Sequence, residues 1–150
     1  MPADLAYQNE PTLAVLAAIS KEKGQEHYQV FEDSVNVEKF QQYLKELRAQ
    51  NVDEKIALFM DNLSAHRSTR SLSEAAQLGF RCIFNVPYSP EYNPIKFVFS
   101  KVKQKFRTLR ARKLAGLSHD SHEVLVRQAV ESVRKSDVVN CVNHVIKMLK

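Results

Sequence analysis

Asp61 stands directly behind Ile56 to Met60, five consecutive apolar residues. A carboxylate at the end of so short an apolar run is fixed by rigid backbone and faces the cleft where the next loop opens, a place suited to a divalent cation. The same aspartate serves equally well in a strand-terminating Asx turn. His66, five residues on, is positioned either to contact a substrate or to make a local hydrogen bond at a helix start. Further along, Pro87-Tyr88-Ser89-Pro90-Glu91-Tyr92-Asn93-Pro94 forms a loop whose prolines forbid regular structure. Tyr88 and Tyr92 offer rings that either stack on bases or pack the loop down, and packing is the expectation. His119, His122, Cys141 and His144 are residue types that bind zinc, but their spacing matches no finger pattern and Cys141 fits a core position.

Charge supplies a second kind of chemistry. The net charge of +5 is the sum of two unlike halves: residues 1–75 hold 8 Lys/Arg against 12 Asp/Glu, and residues 76–150 hold 14 against 5. From Ile95 to Ser118 there are eight cations (Lys96, Lys101, Lys103, Lys105, Arg107, Arg110, Arg112 and Lys113) and no acid. A helix that is only soluble mixes signs and gains i,i+4 pairs, whereas uniform charge repels itself unless phosphates lie nearby. The run is therefore a footprint for a polyanion, with Lys101, Lys103, Lys105, Arg107, Arg110 and Arg112 as the expected contacts to double-stranded DNA.

The elements that must position these residues follow from the pattern. Thr12 to Ser20 and His27 to Phe31 read as a hairpin around the charged, glycine-containing Lys21 to Gln25. Asn36 caps a helix with apolar Val37, Phe40, Tyr43, Leu44 and Leu47. Ile56 to Met60 and Arg81 to Val86 read as buried strands separated by a helix over Ser68 to Leu78, which Gly79 stops. Asn93 as cap and Pro94 as first residue open a long helix with Ile95, Val98, Phe99, Val102, Phe106 and Leu109 on its core side. Helices over Ser121 to Lys135 and Val138 to Leu149 close the chain, so residues 1–150 read as one domain with a helical segment at 121–149. The order predicts an α/β fold with a mixed sheet, Ile56 to Met60 central and Thr12 to Ser20 beside it. At 150 residues and 44% hydrophobic the chain is long enough for a real core. The longest purely apolar run, Leu13 to Ile19, is seven residues, far short of the roughly 20 of a membrane span. No basic stretch leads into an apolar signal core, and two cysteines, Cys82 and Cys141, read as reduced thiols. The expectation is an intracellular protein, nuclear in a eukaryote and otherwise cytoplasmic.

Phe59-Met60-Asp61-Asn62-Leu63-Ser64-Ala65-His66, followed by Val86-Pro87-Tyr88-Ser89-Pro90-Glu91-Tyr92-Asn93-Pro94-Ile95, closely resembles the DDE catalytic domain of mariner-type and bacterial insertion-sequence transposases. In that family the second acid lies in a strand-end "D-N-x-x-x-H" and the third ends "P-Y-S-P-x-x-N-P-I-E". The resemblance implies a ribonuclease-H-like mixed sheet with helices on both faces. It also implies two Mg²⁺ or Mn²⁺ ions held by three carboxylates, DNA cleavage by water, and joining of the freed 3′-hydroxyl to target DNA. Two metals clamp the attacking and leaving oxygens of such a displacement. Asp61 takes the metal-ligand position, with Asn62, His66 and Asn93 as neighbours of the site. Position 96, where the family carries its third acid, is Lys96.

The family's first acid lies on a strand well ahead of the segment that resembles Leu13 to Ser20, where this sequence has twelve residues with Asp4 and Glu10. Glu91 is five residues early for the third acid. Lys96 also breaks a local rule, because the first turn of a helix favours Glu and disfavours a cation by about 0.3 to 1 kcal/mol. Asp61 and residue 96 are expected to converge at one sheet edge. Three readings follow: a DNA endonuclease and strand-transferase completed from outside this sequence, a DNA-binding module that keeps the fold without cleavage, and an oligomerisation domain built on the C-terminal helices. A homodimer is compatible with each.

Overall fold

The computed structural model describes residues 13–150. Thr12, expected to open the first strand, and the acids Asp4 and Glu10 lie outside the described residues. Strand β1 (Ala14–Ser20) pairs antiparallel with β2 (Gly24–Phe31), from Ala14 opposite Phe31 to Ser20 opposite Gly24, with a register shift between Ala18 and Ile19. Gly24 sits at φ +81° and a Cβ there would come within 3.0 Å of the Lys135 backbone, so only glycine fits where the turn meets the start of the last helix. Helix α1 (Val37–Gln50) starts at Asn36, whose side chain accepts from the Lys39 N–H at 2.8 Å. Strand β3 (Ile56–Met60) leads through a single helical turn, α2 (Ser64–Arg67), and α3 (Thr69–Gln77) into β4 (Phe80–Phe84), which pairs parallel with β3. Ser68 caps α3, and Gly79 at φ +79° ends it.

After a short 3₁₀ turn at Pro90–Tyr92 come α4 (Ile95–Leu114), α5 (His122–Glu131) and α6 (Lys135–Leu149). The cap of α4 is Pro94 rather than Asn93; Asn93 Oδ1 instead accepts from the Ile95 N–H at 3.2 Å, so the boundary moves by one residue. The sequence runs the first of the last two helices through to Lys135, whereas α5 ends at Glu131, and it starts α6 three residues late; there Asp137 Oδ2 accepts from the Arg134 N–H at 2.9 Å, a local cap that the apolar pattern does not reveal.

Two expectations fail. Among the described residues, the single mixed sheet is instead two separate two-stranded pairs, β1–β2 and β3–β4, with no ladder between β1 and β3. The strands β3 and β4 are covered on one face only: Ile56, Leu58, Met60, Phe80 and Cys82 pack with Phe40, Tyr43, Leu44 and Leu47 of α1 and Ala75 of α3, whereas Phe59 and Ile83 on the other face are each 44% exposed. The apolar runs that read as fully buried strands therefore alternate. On the hairpin side, α6 packs against β2 and β1, and a smaller core joins Val98 of α4 to Val138 and Cys141 of α6, with Ile19 of β1 against it. Cys141 is buried as expected and Cys82 is only half-buried; burial raises both thiols above their ordinary range. No described helix is long and apolar enough to cross a membrane.

Candidate functional site

The carboxyl end of β3 is held by a web of asparagines. The Asn85 N–H donates to the Met60 carbonyl at 2.8 Å, carrying the β3–β4 pairing one residue past the strands. Asn62 Nδ2 donates to the Asn85 carbonyl at 2.7 Å, and Arg67 Nη1 donates to Asn62 Oδ1 at 2.9 Å. Buried Asn85 in turn donates from Nδ2 to the Ser89 carbonyl at 2.7 Å, which pins the proline-rich loop to the sheet. Asn62 is thus a brace between the two strand ends. Sequence reading placed it beside the site without that role, and Asn85, the hub of the web, gave no signal beyond a polar residue at a strand end.

Between Asn62 and the cleft, Asp61 keeps a side chain that is 54% exposed. Its Oδ1 lies 2.8 Å from His66 Nδ1 and 3.4 Å from the Leu63 N–H. The Asx-turn reading and the site-facing reading of Asp61 therefore coexist in one geometry. His66 is mostly buried and its ring lies against Phe40 of α1 with centroids 4.5 Å apart, so the imidazole is wedged between the core and the carboxylate. Asp61, Leu63, Ala65 and His66 line one cleft together with Asn93, Pro94 and Ile95 at the start of α4.

Lys96 follows that stretch but does not turn into the cleft. It is exposed, forms no ion pair with Asp61, and its ammonium lies 5.9 Å from the centroid of the Phe97 ring. The start of α4 and Asp61 do meet at one place, while the lysine charge points elsewhere. Glu91 is half-buried in the 3₁₀ turn. Among the described residues, no three His, Cys, Asp or Glu side chains come together in a way that could hold a metal ion. With Asp61 as the carboxylate of this cleft and a lysine at the position after Ile95, the donors present do not fit a pair of divalent cations, each of which needs several oxygens. His144 and His122 pack edge-on against Phe97 and Phe106 respectively.

Tyr88 corrects the expectation that both loop tyrosines pack. Tyr92 is half-buried, but Tyr88 is 102% exposed and sits in the left-handed region at φ +58°. The hydrogen bonds from Asn85 to the Ser89 carbonyl and from Ser89 Oγ to the Pro87 carbonyl hold that strained turn closed around it.

The cations of α4 also sort differently than expected. Arg110 is only 4% exposed, so it belongs to the packed side of the helix and is not a surface phosphate contact. Lys101, Lys103, Lys105, Arg107 and Arg112 are exposed; Lys101 lies 3.8 Å from Asp137, and among the described residues the other four have no ion-pair partner. With about 100° between successive residues, Lys101, Lys105 and Arg112 fall within roughly 40° of one another on one flank, and Lys96, Lys103 and Arg107 do so on the other. Exposed Ser100, Gln104, Thr108 and Ala111 run between the two stripes. The basic surface is thus two cationic rails along a neutral ridge.

Comparison with known proteins now adds to the geometry. The family model described as DDE superfamily endonuclease matches residues 2–118. The Mos1 transposase catalytic domain, in its structure with raltegravir and Mn, superposes with a TM-score of 0.65 at 14% identity, covering 89% of this chain and 70% of that one. The crystal structure of the catalytic domain of Mos1 mariner transposase gives 0.55 at 14% identity, over 91% and 76% of the two chains. The Mos1 strand transfer complex gives 0.61 at 17% identity, over 85% and 38%. These likenesses show the fold, a mixed α/β ribonuclease-H-like one. No curated protein matches the chain.

Proposed function

This chain belongs to the DDE superfamily endonuclease family, and from that premise we propose that it binds double-stranded DNA through α4 and does not by itself cut or join the strands. The observation that carries the reading is the acid-free α4, whose two cationic rails flank a ridge of short polar side chains. A helix is about 10 to 12 Å across with side chains, and the major groove of B-DNA is about 12 Å wide. A helix lying in that groove meets phosphates on both sides, which is where the rails lie. Such contacts fix position without reading sequence, so binding is expected to be weak and indifferent to sequence. Acting on DNA implies the nucleus in a eukaryotic host and the cytoplasm otherwise.

The second half of the proposal rests on the Asp61 cleft. In-line phosphoryl displacement by two cations needs carboxylates to hold them about 3.5 to 4 Å apart. Asp61 is one donor, His66 is committed against it, and Lys96 brings positive charge to the turn that follows. Mg²⁺ and Mn²⁺ accompany Mos1 in its structures; for this chain, productive binding of either is not expected.

Titrating a labelled duplex at several salt concentrations tests the first half. Each cation in contact adds about 0.9 to the log–log slope, and replacing Lys101, Lys105 and Arg112 with Ala is expected to lower that slope by about 2 to 3. Binding absent at low salt, or unaltered by the triple replacement, overturns it. Sedimentation of the same mixtures reads whether two copies share a duplex. Plasmid nicking in Mg²⁺ or Mn²⁺ tests the second half: metal-dependent cleavage that Asp61→Ala abolishes overturns it.

A further inference from the structure

The loop after β4 holds a conformation that one of its residues does not favour. Tyr88 sits in the left-handed region at φ +58°, where glycine or asparagine is at ease and a bulky side chain is an outlier. Buried Asn85 enforces the turn from both ends: its Oδ1 accepts from the Val86 N–H at 2.9 Å and its Nδ2 donates to the Ser89 carbonyl at 2.7 Å. Pro87 and Pro90, one on each side, fix two further backbone angles. The loop is therefore shaped in advance and not slack. Yet the ring it presents is fully exposed, so no packing of that ring onto the fold offsets the strain of its backbone. A tyrosine that serves the fold in neither way, at a place where a smaller residue fits better, points to a ligand.

We propose that Tyr88 is a stacking platform for an unpaired nucleobase in the DNA that α4 seats, an inference that rests on the DNA-binding reading of α4. Three observations select a base. The ring is open to solvent and carried on a rigid turn, so stacking a flat π-face on it costs little ordering of the protein. A cation is wired to the same turn: Arg67 Nη1 donates to Asn62 Oδ1 at 2.9 Å, and Asn62 donates to the carbonyl of Asn85, the residue that clamps the Tyr88 turn. The Arg67 guanidinium lies 5.1 Å from the Phe84 ring centroid, is exposed, and among the described residues has no carboxylate partner, while Asp61 at the same strand end is turned to His66. An open ring with an unneutralised cation nearby is the pairing that holds a base and its phosphate. Finally, the loop runs through the 3₁₀ turn Pro90–Tyr92 straight into α4, so ring and cationic rails belong to one continuous segment. Paired bases are hidden within the stack of the duplex, so the occupant is an unpaired one, at a frayed end, a tail or a distorted step.

The test uses the full chain with a blunt duplex and with the same duplex carrying a short unpaired tail that contains 2-aminopurine, whose fluorescence is quenched on stacking. The tailed duplex is expected to bind more tightly than the blunt one by about fivefold or more, with its fluorescence quenched. Tyr88→Phe and Tyr88→Trp are expected to keep both effects. Tyr88→Asn is expected to remove both while leaving the melting temperature unchanged or higher, because asparagine is at ease at φ +58°; a ring that merely held the loop would not give that result. Replacing Lys101, Lys105 and Arg112 with Ala lowers the salt slope for the two duplexes alike, whereas Tyr88→Asn leaves the slope for the blunt duplex unchanged. A blunt duplex that does not bind at low salt overturns the reading of α4 and this one with it. A blunt duplex that binds as tightly as the tailed one overturns this inference alone and leaves the exposed ring to a protein partner. A preference or a quench that Tyr88→Asn retains, or a fall in melting temperature with that variant, also overturns it.

Discussion

The carboxyl end of β3 and helix α4 touch at Asn93 to Ile95, yet they carry function in opposite ways. Around Asp61 everything depends on few atoms: one exposed carboxylate, one histidine wedged against Phe40, and a set of asparagine hydrogen bonds that hold the strand ends together. Along α4 the proposed phosphate contact is spread over six exposed cations, so no single one is expected to be indispensable. Metal-assisted displacement demands a complete donor set within a few ångströms and is lost when one member changes sign. Phosphate attraction adds contact by contact and declines gradually. On the proposed reading, a lysine at position 96 weighs against the first capacity while adding to the second.

The largest effect that would sharpen this contrast is in the core under the Asp61 end. Leu44 is 1% exposed and packs with Phe40, Tyr43, Leu47 and Phe80. Leu44→Ala is expected to cost about 2 to 5 kcal/mol of unfolding free energy, measured by denaturant unfolding at constant m. Duplex affinity, measured where the variant is still folded, is expected to stay within about twofold, because α4 packs through the separate cluster of Val98, Val138 and Cys141. A parallel loss of affinity would show that the two regions are one cooperative unit.

A smaller effect probes how the hairpin is held to α1. Tyr43 Oη donates to the His27 carbonyl at 2.9 Å, and burial, with the charges of Glu46 and Glu26, pushes its phenol well above the ordinary range. The folded state thus keeps a proton that the unfolded chain gives up above about pH 10. Stability is full below that pH and falls as pH rises beyond it. Tyr43→Phe is expected to lose about 1 kcal/mol at neutral pH and to flatten the alkaline decline. Thermal unfolding from pH 8 to pH 11 reads both, and an unchanged alkaline slope would assign the decline to other groups.

How much of this was legible in the sequence depends on whether a feature is local. Asn36, Ser68 and Gly79 are local chemistry and gave the ends of α1 and α3 within a residue or so, whereas the helix from Ser121 ends four residues before the expected Lys135. Asp61 and His66 were each legible as site candidates, but their contact across a strand end and one helical turn came only from the structure. The split of the sheet was not legible, since strand neighbours are chosen by the whole fold and an apolar run reads alike whether one face or two are covered. For the same reason Phe59 and Ile83 looked buried. Arg110 shows a third kind of failure: at the boundary of the apolar stripe a long side chain turns inward, and composition counts it with the surface.

The smallest expected effect lies where the two regions meet. Lys96→Glu places an anion in the first turn of α4, which now contains no acid, and favourable interaction with the helix N-terminus contributes about 0.3 to 1 kcal/mol. Against this stands the loss of the ammonium over Phe97, about 0.5 to 1 kcal/mol at an exposed site, so the net change in unfolding free energy is expected to be within about 0.5 kcal/mol. The more telling readout is the response to Mn²⁺. A second carboxylate on the turn that borders the Asp61 cleft gives a cation two donors instead of one, so the variant is expected to gain a metal-dependent rise in melting temperature that the parent lacks. That rise is expected to vanish with Asp61→Ala. DNA nicking is still not expected, because two donors do not hold two dications. On the α4 side the same substitution removes one cation from its rail and lowers the salt slope of duplex binding by about 0.9 if Lys96 is a contact. A melting temperature indifferent to Mn²⁺ would show that residue 96 cannot reach the Asp61 cleft at all, and the two regions would then be neighbours in the chain without sharing a site.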